Sequence, residues 1–162
     1  MPITYLLLGS NQGDREYFLT AATTQLALSV GAVKAKSQLY ETAAWGLEDQ
    51  PAFLNQLLQI STALTPEELL TQINLIEKLL GRERKIKWGA RVIDIDILYY
   101  DHLALNLPYL IIPHPRLQDR RFALMPLVEL APDFVHPALN KTNKVLLAEC
   151  PDNLPVVIYK KE

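Results

Sequence analysis

The sequence predicts an α+β fold, and three observations carry the prediction. Short apolar runs end in glycine, proline or polar turns, which is strand behaviour. Two other segments repeat apolar residues at helical spacing and carry helix end signals. The order is strand, helix, strand, strand, helix, strand. That split pattern folds as an antiparallel sheet with both helices on one face.

Ile3-Thr4-Tyr5-Leu6-Leu7-Leu8 reads as a buried strand, and Gly9-Ser10-Asn11-Gln12-Gly13 turns the chain. Asp14 can cap a helix that sets Phe18, Ala22 and Leu26 on one face, with Gly31 as its expected stop. Val33 to Thr42 reads as the second strand, and Ala43 to Pro51 as a loop. Phe53 to Thr62 is the third strand. Alternation puts Phe53, Asn55, Leu57 and Gln59 on one face and Leu54, Gln56, Leu58 and Ile60 on the other. Thr65-Pro66-Glu67-Glu68 is a capping box with proline at the first helical position. Leu69, Ile73, Ile76 and Leu80 follow at helical spacing, and Gly81 closes the helix. A basic loop leads into a fourth strand, Val92 to Tyr100. These elements make a ferredoxin-like β-α-β-β-α-β core. Beyond Asp101 the chain is proline-rich, with one helix expected near Phe122 to Glu129, in an extension that wraps the core. No repeat or linker divides the chain, so a single domain over residues 1–162 is expected.

Apolar residues make up 49% and charged residues 21%, a globular composition rather than a disordered one. The single cysteine, Cys150, excludes a disulfide framework and a cysteine-based zinc site. No apolar run can span a bilayer and no basic leader precedes Ile3, so a reduced, cytoplasmic setting without membrane contact is expected. A net charge of −2 argues against nucleic acid as a partner. Yet Arg82, Arg84, Lys85, Lys87 and Arg91 face only Glu83 in their stretch, which therefore carries +4 and leaves −6 on the rest. Two readings fit: a solvated loop, or a cationic patch for a small anionic ligand.

Val92-Ile93-Asp94-Ile95-Asp96-Ile97-Leu98 is the most informative segment. Strand alternation points Asp94 and Asp96 the same way, about 6.6–7 Å apart, while Ile93, Ile95 and Ile97 enter the core. Two carboxylates on one face repel unless cations compensate. Nearby lysines would serve on an exposed face, and Mg²⁺ bridging phosphate oxygens would serve in a site. Arg91 and the basic loop stand beside them, as phosphoryl-type transfer requires. Gly9-Ser10-Asn11-Gln12-Gly13 lacks the Gly-Lys-Ser/Thr run of a P-loop and reads as a tight turn. His114, between Pro113 and Pro115 and followed by Arg120 and Arg121, fits either a structural role or a hydrogen bond to phosphate.

Taken together, these segments resemble the 6-hydroxymethyl-7,8-dihydropterin pyrophosphokinase family of folate biosynthesis. The signature is Lys87-Trp88-Gly89-Ala90-Arg91-Val92-Ile93-Asp94-Ile95-Asp96-Ile97-Leu98. Gly9-Ser10-Asn11, Asp49-Gln50-Pro51 with Phe53-Leu54-Asn55, Pro66 to Glu77, Gly81-Arg82 with Arg84, and Pro113-His114 with Arg120 and Phe122 also match, in order, from Ile3 to about Pro132.

The resemblance implies transfer of pyrophosphate from ATP to the pterin hydroxymethyl group, giving AMP. By that likeness Asp94 and Asp96 hold two Mg²⁺ ions. Arg82 and Arg91 contact the phosphates and the transferred group, Arg84 and Trp88 close a mobile loop, and His114 and Arg120 contact ATP phosphates. The pterin lies between Phe53 and Phe122, with Asn55 and Thr42 at its ring edge. Phe53 stands where other members carry tyrosine, so the ring is kept and a hydroxyl lost. Spacing alone does not choose between attack at the β- and the γ-phosphorus; the resemblance chooses β. Small molecules are thus the expected partners, of a monomer. An interaction module that binds an acidic partner and a two-metal phosphohydrolase are the rival readings. The first leaves the paired aspartates unexplained, and the second expects further clustered His or Asp ligands.

Overall fold

The computed structural model describes residues 1–42, 51–81 and 92–160. Its strands are β1 (Ile3–Ser10), β2 (Gly31–Lys36), β3 (Tyr40–Thr42), β4 (Phe53–Thr62), β5 (Asp94–Tyr100), β6 (Leu105–Leu107), β7 (Leu110–Ile112) and β8 (Val156–Ile158). Its helices are α1 (Arg15–Ser29), α2 (Pro66–Leu79), α3 (Arg121–Leu130) and α4 (Asn143–Ala148). The chain is α+β with an antiparallel sheet. β5, β1, β4, β3 and β8 are hydrogen-bonded in that order, β2 pairs with β4 beside β3, and β6–β7 is a separate hairpin.

Both faces of the sheet are covered. On one, Leu19, Ala22 and Leu26 of α1 and Leu69, Ile73 and Ile76 of α2 pack on Leu6, Leu8, Leu54, Leu58, Ile60, Ile93, Ile95 and Ile97. On the other, Ala123, Leu124 and Leu127 of α3 and Leu146 of α4 pack on Tyr5, Leu7, Leu57, Leu98 and Tyr99. A register shift between Tyr5 and Leu6 inserts one residue in β5, which turns both Leu98 and Tyr99 to the second face.

The expected capping signals are in place. The Asp14 carboxylate accepts from the Tyr17 amide, and Thr65 and Glu68 exchange side-chain and backbone bonds as a full capping box. Gly81 takes the left-handed backbone, with φ +92°, that ends a helix.

Gly31 does not play that part. It already belongs to β2, and a Cβ on it would lie 2.0 Å from the Ser61 carbonyl oxygen, so its role is to let two strands approach.

The expected second strand is broken in two. At Ser37 the backbone amide donates to the Leu57 carbonyl, but the Leu57 amide bonds to the Ser37 hydroxyl, not to a backbone carbonyl. The ladder is interrupted there and resumes as β3. Nor is the C-terminal part only a wrapping: β8 adds a strand to the main sheet against β3.

Candidate active site

The register lines up functional candidates in a single rung. Tyr40 of β3 lies opposite Asn55 of β4, Asn55 opposite Gly9 of β1, and Gly9 opposite Asp94 of β5. The next rung toward the second core is Leu57, Leu7 and Asp96. Direct antiparallel partners share a face. Asn55, Asp94 and Asp96 therefore all lie on the α3 side of the sheet, with Thr42 and Phe53, themselves paired, one step along.

Gly9 is the gap in that rung. A Cβ there would stand 2.7 Å from the Asn55 amide nitrogen and 3.6 Å from the Phe53 ring. Its absence lets the Asn55 carboxamide lie over β1, where the amide group donates to the Leu8 carbonyl. The turn that follows holds the same region from outside: the Asn11 amide donates to the Pro51 carbonyl, just ahead of Phe53.

Polar atoms here are buried and unfulfilled. Asn55 Oδ1, Thr42 Oγ1 and Arg120 Nε have no hydrogen-bond partner among the described residues. A buried orphan of this kind costs stability, so Asn55 Oδ1 and Thr42 Oγ1, on one face of the sheet, are atoms that a polar ligand could satisfy. Asn55 and Thr42 are each only 4% exposed.

His114 and Arg120 complete an electrostatic group with the aspartates. The His114 amide donates to the Leu98 carbonyl on the outer edge of β5. Its Nδ1 accepts from the Arg116 amide, which leaves the ring proton on Nε2. Burial, reinforced by Arg120 and opposed by Asp94, lowers its pKa to about 4, so the ring is neutral at pH 7. Burial also draws the Arg120 pKa down from its usual value, against the pull of Asp96 and Asp94. The Arg120 guanidinium lies 5.7 Å from the half-buried Phe122 ring at the start of α3.

Two residues near this wall escape the sequence reading. Glu77 of α2 is 5% exposed, and its Oε2 accepts from the Ile95 amide at 2.8 Å, on the strand edge between the two aspartates. A signal existed, since position 77 is four residues after Ile73 and so falls in the apolar stripe of α2. Tyr40 is buried, and its hydroxyl donates to Glu129 at 2.6 Å. Burial and that carboxylate push the tyrosine pKa up, so the hydroxyl stays a donor. Arg82, Arg84, Trp88 and Arg91, with the loop closure expected of them, lie outside the described residues.

The donor set suits one kind of metal. Asp94 and Asp96 offer hard carboxylate oxygens, and no group of three or more His, Cys, Asp or Glu gathers among the described residues. Mg²⁺ characteristically uses one or two carboxylates and takes its other ligands from phosphate and water, so the pair fits it without a protein cage. Among the described residues no helix is long and apolar enough to cross a membrane.

The family model for 7,8-dihydro-6-hydroxymethylpterin-pyrophosphokinase matches residues 5–132. A 2-amino-4-hydroxy-6-hydroxymethyldihydropteridine pyrophosphokinase from Aquifex aeolicus is 43% identical over 144 residues, 89% of each chain. Its counterpart from Methylorubrum extorquens is 46% identical over 136 residues, 83% of this chain and 86% of that one. In fold, the chain is similar to the Plasmodium falciparum HPPK-DHPS S436F/A437G/A613S triple mutant with SDX-DHP. There the TM-score is 0.77 at 18% identity, over 91% of this chain and 44% of that longer one.

Proposed function

The chain belongs to the 7,8-dihydro-6-hydroxymethylpterin-pyrophosphokinase family, and from that premise we propose how its residues carry the reaction. The enzyme transfers pyrophosphate from ATP to the hydroxymethyl group of 6-hydroxymethyl-7,8-dihydropterin, giving AMP and the pterin diphosphate, a step of folate biosynthesis. The alcohol oxygen bonds to the β-phosphorus. The bond from that phosphorus to the α,β-bridging oxygen breaks with its electron pair onto AMP, and the alcohol proton is released.

In our reading the pterin lies against Phe53 and Phe122 and meets Asn55 and Thr42 at its edge. The carrying observation is the pair of orphaned atoms, Asn55 Oδ1 and Thr42 Oγ1, on the sheet face that also bears Asp94. A buried amide that only the substrate satisfies discriminates against analogues lacking the matching groups. No protein nucleophile is needed, since holding the primary alcohol near phosphorus supplies much of the acceleration. Asp94 and Asp96 would hold two Mg²⁺ ions, which when bound neutralise phosphate charge and favour departure of AMP. Neutral His114, through Nε2–H, and Arg120 hydrogen-bond ATP phosphates. Arg82 and Arg91 follow the migrating group, and Arg84 and Trp88 cover it. Those four assignments rest on the motif alone.

We read the core as ferredoxin-like, which the antiparallel order β5-β1-β4, with β2 and β3 both paired to the far edge of β4, supports. We also propose one domain, monomeric and cytoplasmic. The test is incubation with Mg²⁺, ATP and the pterin, followed by nucleotide separation. AMP appearing one-for-one with pterin diphosphate is the expected result, whereas pterin-dependent ADP would make the protein an ordinary kinase.

A further inference from the structure

We propose that the hydrogen bond between Tyr40 and Glu129 is a strut that sets the geometry of the pterin slot, making both positioning residues. The inference rests on the assignment of Phe53, Phe122 and Asn55 to the pterin.

The slot is built from two separate pieces of structure. Phe53 and Asn55 stand on β4, inside the sheet. Phe122 stands in the first turn of α3, which lies on the sheet rather than in it. Whatever fixes α3 over β4 fixes the distance between the two walls. The helix is held from beneath by Ala123, Leu124 and Leu127 in the second core. Apolar contact of that kind resists separation but is not directional, so it resists sliding and rotation weakly.

At the Phe122 end the Arg121 amide donates to Asp152, which lies outside the sheet; directional bonds to the sheet side appear at the other end of the helix. Glu129 lies seven residues beyond Phe122, about two turns and roughly 10 Å along the axis. Its Oε1 accepts the Tyr40 hydroxyl at 2.6 Å, and both its oxygens lie 3.1 Å from the Gln38 amide. These bonds join the last turn of α3 to the start of β3 and to the connection before it. Tyr40 is in turn the direct cross-strand partner of Asn55. One end of the strut is therefore the neighbour of the residue reading the pterin edge, and the other is on the helix carrying the opposing ring. The contact links residues 89 apart in sequence.

Tyr40→Phe keeps the buried ring and removes only the hydroxyl. It should raise the pterin KM roughly two- to tenfold, the range expected for one lost hydrogen bond, with the ATP KM unchanged and kcat moved less than KM. Glu129→Gln retains an acceptor oxygen and should behave nearly as the parent protein. Glu129 is exposed, so Glu129→Ala opens no cavity, and it should raise the pterin KM at least as much as Tyr40→Phe. The double variant Tyr40→Phe/Glu129→Ala should match Glu129→Ala alone, because the hydroxyl acts only through the carboxylate. A purely structural bond predicts otherwise: lower thermal stability with the pterin KM unmoved, or additive effects, and either overturns the proposal. Asn55→Ala separates the two levels. If it raises the pterin KM while Tyr40→Phe does not, the strut fails alone; if it leaves the pterin KM unchanged, the slot assignment falls and takes the strut with it.

Discussion

At the scale of single residues, the position with no side chain is as informative as those that have one. Gly9→Ala would place a methyl group 2.7 Å from the Asn55 amide nitrogen, which is already committed to the Leu8 carbonyl. The carboxamide must swing away. We expect a folded protein whose pterin KM rises about tenfold or more while ATP affinity, measured by titration, is unchanged. His114 carries a second prediction. Its folded pKa of about 4 lies below the ordinary 6.5, so the unfolded chain takes up this proton first as the solution is acidified. Stability present above pH 6.5 is therefore lost as pH falls toward 4. His114→Gln should flatten that part of the profile, read as urea unfolding free energies at pH 7 and pH 5; equal losses in parent and variant would refute the assignment. Alternation alone put Asp94 with Asp96 and Phe53 with Asn55. It could not show that Gly9 stands between Asn55 and Asp94, because that depends on the register of β1 against two other strands.

At the scale of elements, β5 shows how an edge strand is made safe and useful together. Its outer edge would present unpaired amides and carbonyls. The Glu77 carboxylate takes the Ile95 amide, and the His114 amide takes the Leu98 carbonyl. Glu77→Ala leaves a buried N–H unsatisfied and should cost about 1–3 kcal/mol of unfolding free energy. Because the same bond lies between Asp94 and Asp96, the Mg²⁺ concentration for half-maximal activity should rise as well; a stability loss without that rise would make Glu77 structural only. α2 was fully readable, because a capping box, an apolar stripe and a terminal glycine all agreed. The break at Ser37 was not, since a hydroxyl standing in for a backbone carbonyl needs Leu57 opposite it. β6, β7 and β8 are three residues each, too short to show a period.

For the molecule as a whole, the sheet is closed on the slot side by the strand most distant from it in sequence. β8 pairs with β3, the Tyr159 amide donates to the Leu39 carbonyl, and the Arg15 guanidinium sits 5.4 Å from the Tyr159 ring while also bonding Glu41. Deleting residues 156–162 should lower stability by roughly 1–3 kcal/mol, at about 1 kcal/mol per lost backbone bond. It should also raise the pterin KM more than the ATP KM, because β3 carries Thr42 whereas His114 and Arg120 lie across the sheet. Thermal melts and steady-state kinetics on the truncated chain would check both; equal changes in the two KM values would mean a general loosening. The proline-rich C-terminal part read as a wrapping because its structure depends on where it docks, not on its local pattern.

Gly9 also bears on how such a site can be blocked. Every replacement of a glycine adds at least a Cβ, and here any Cβ meets the Asn55 amide. A competitor shaped to lie along the Asn55–Gly9–Asp94 rung would press on a place that no side chain at position 9 fills without displacing the Asn55 amide, which we propose reads the substrate. On that reading, a change at position 9 that hinders the competitor also weakens the substrate's own contact.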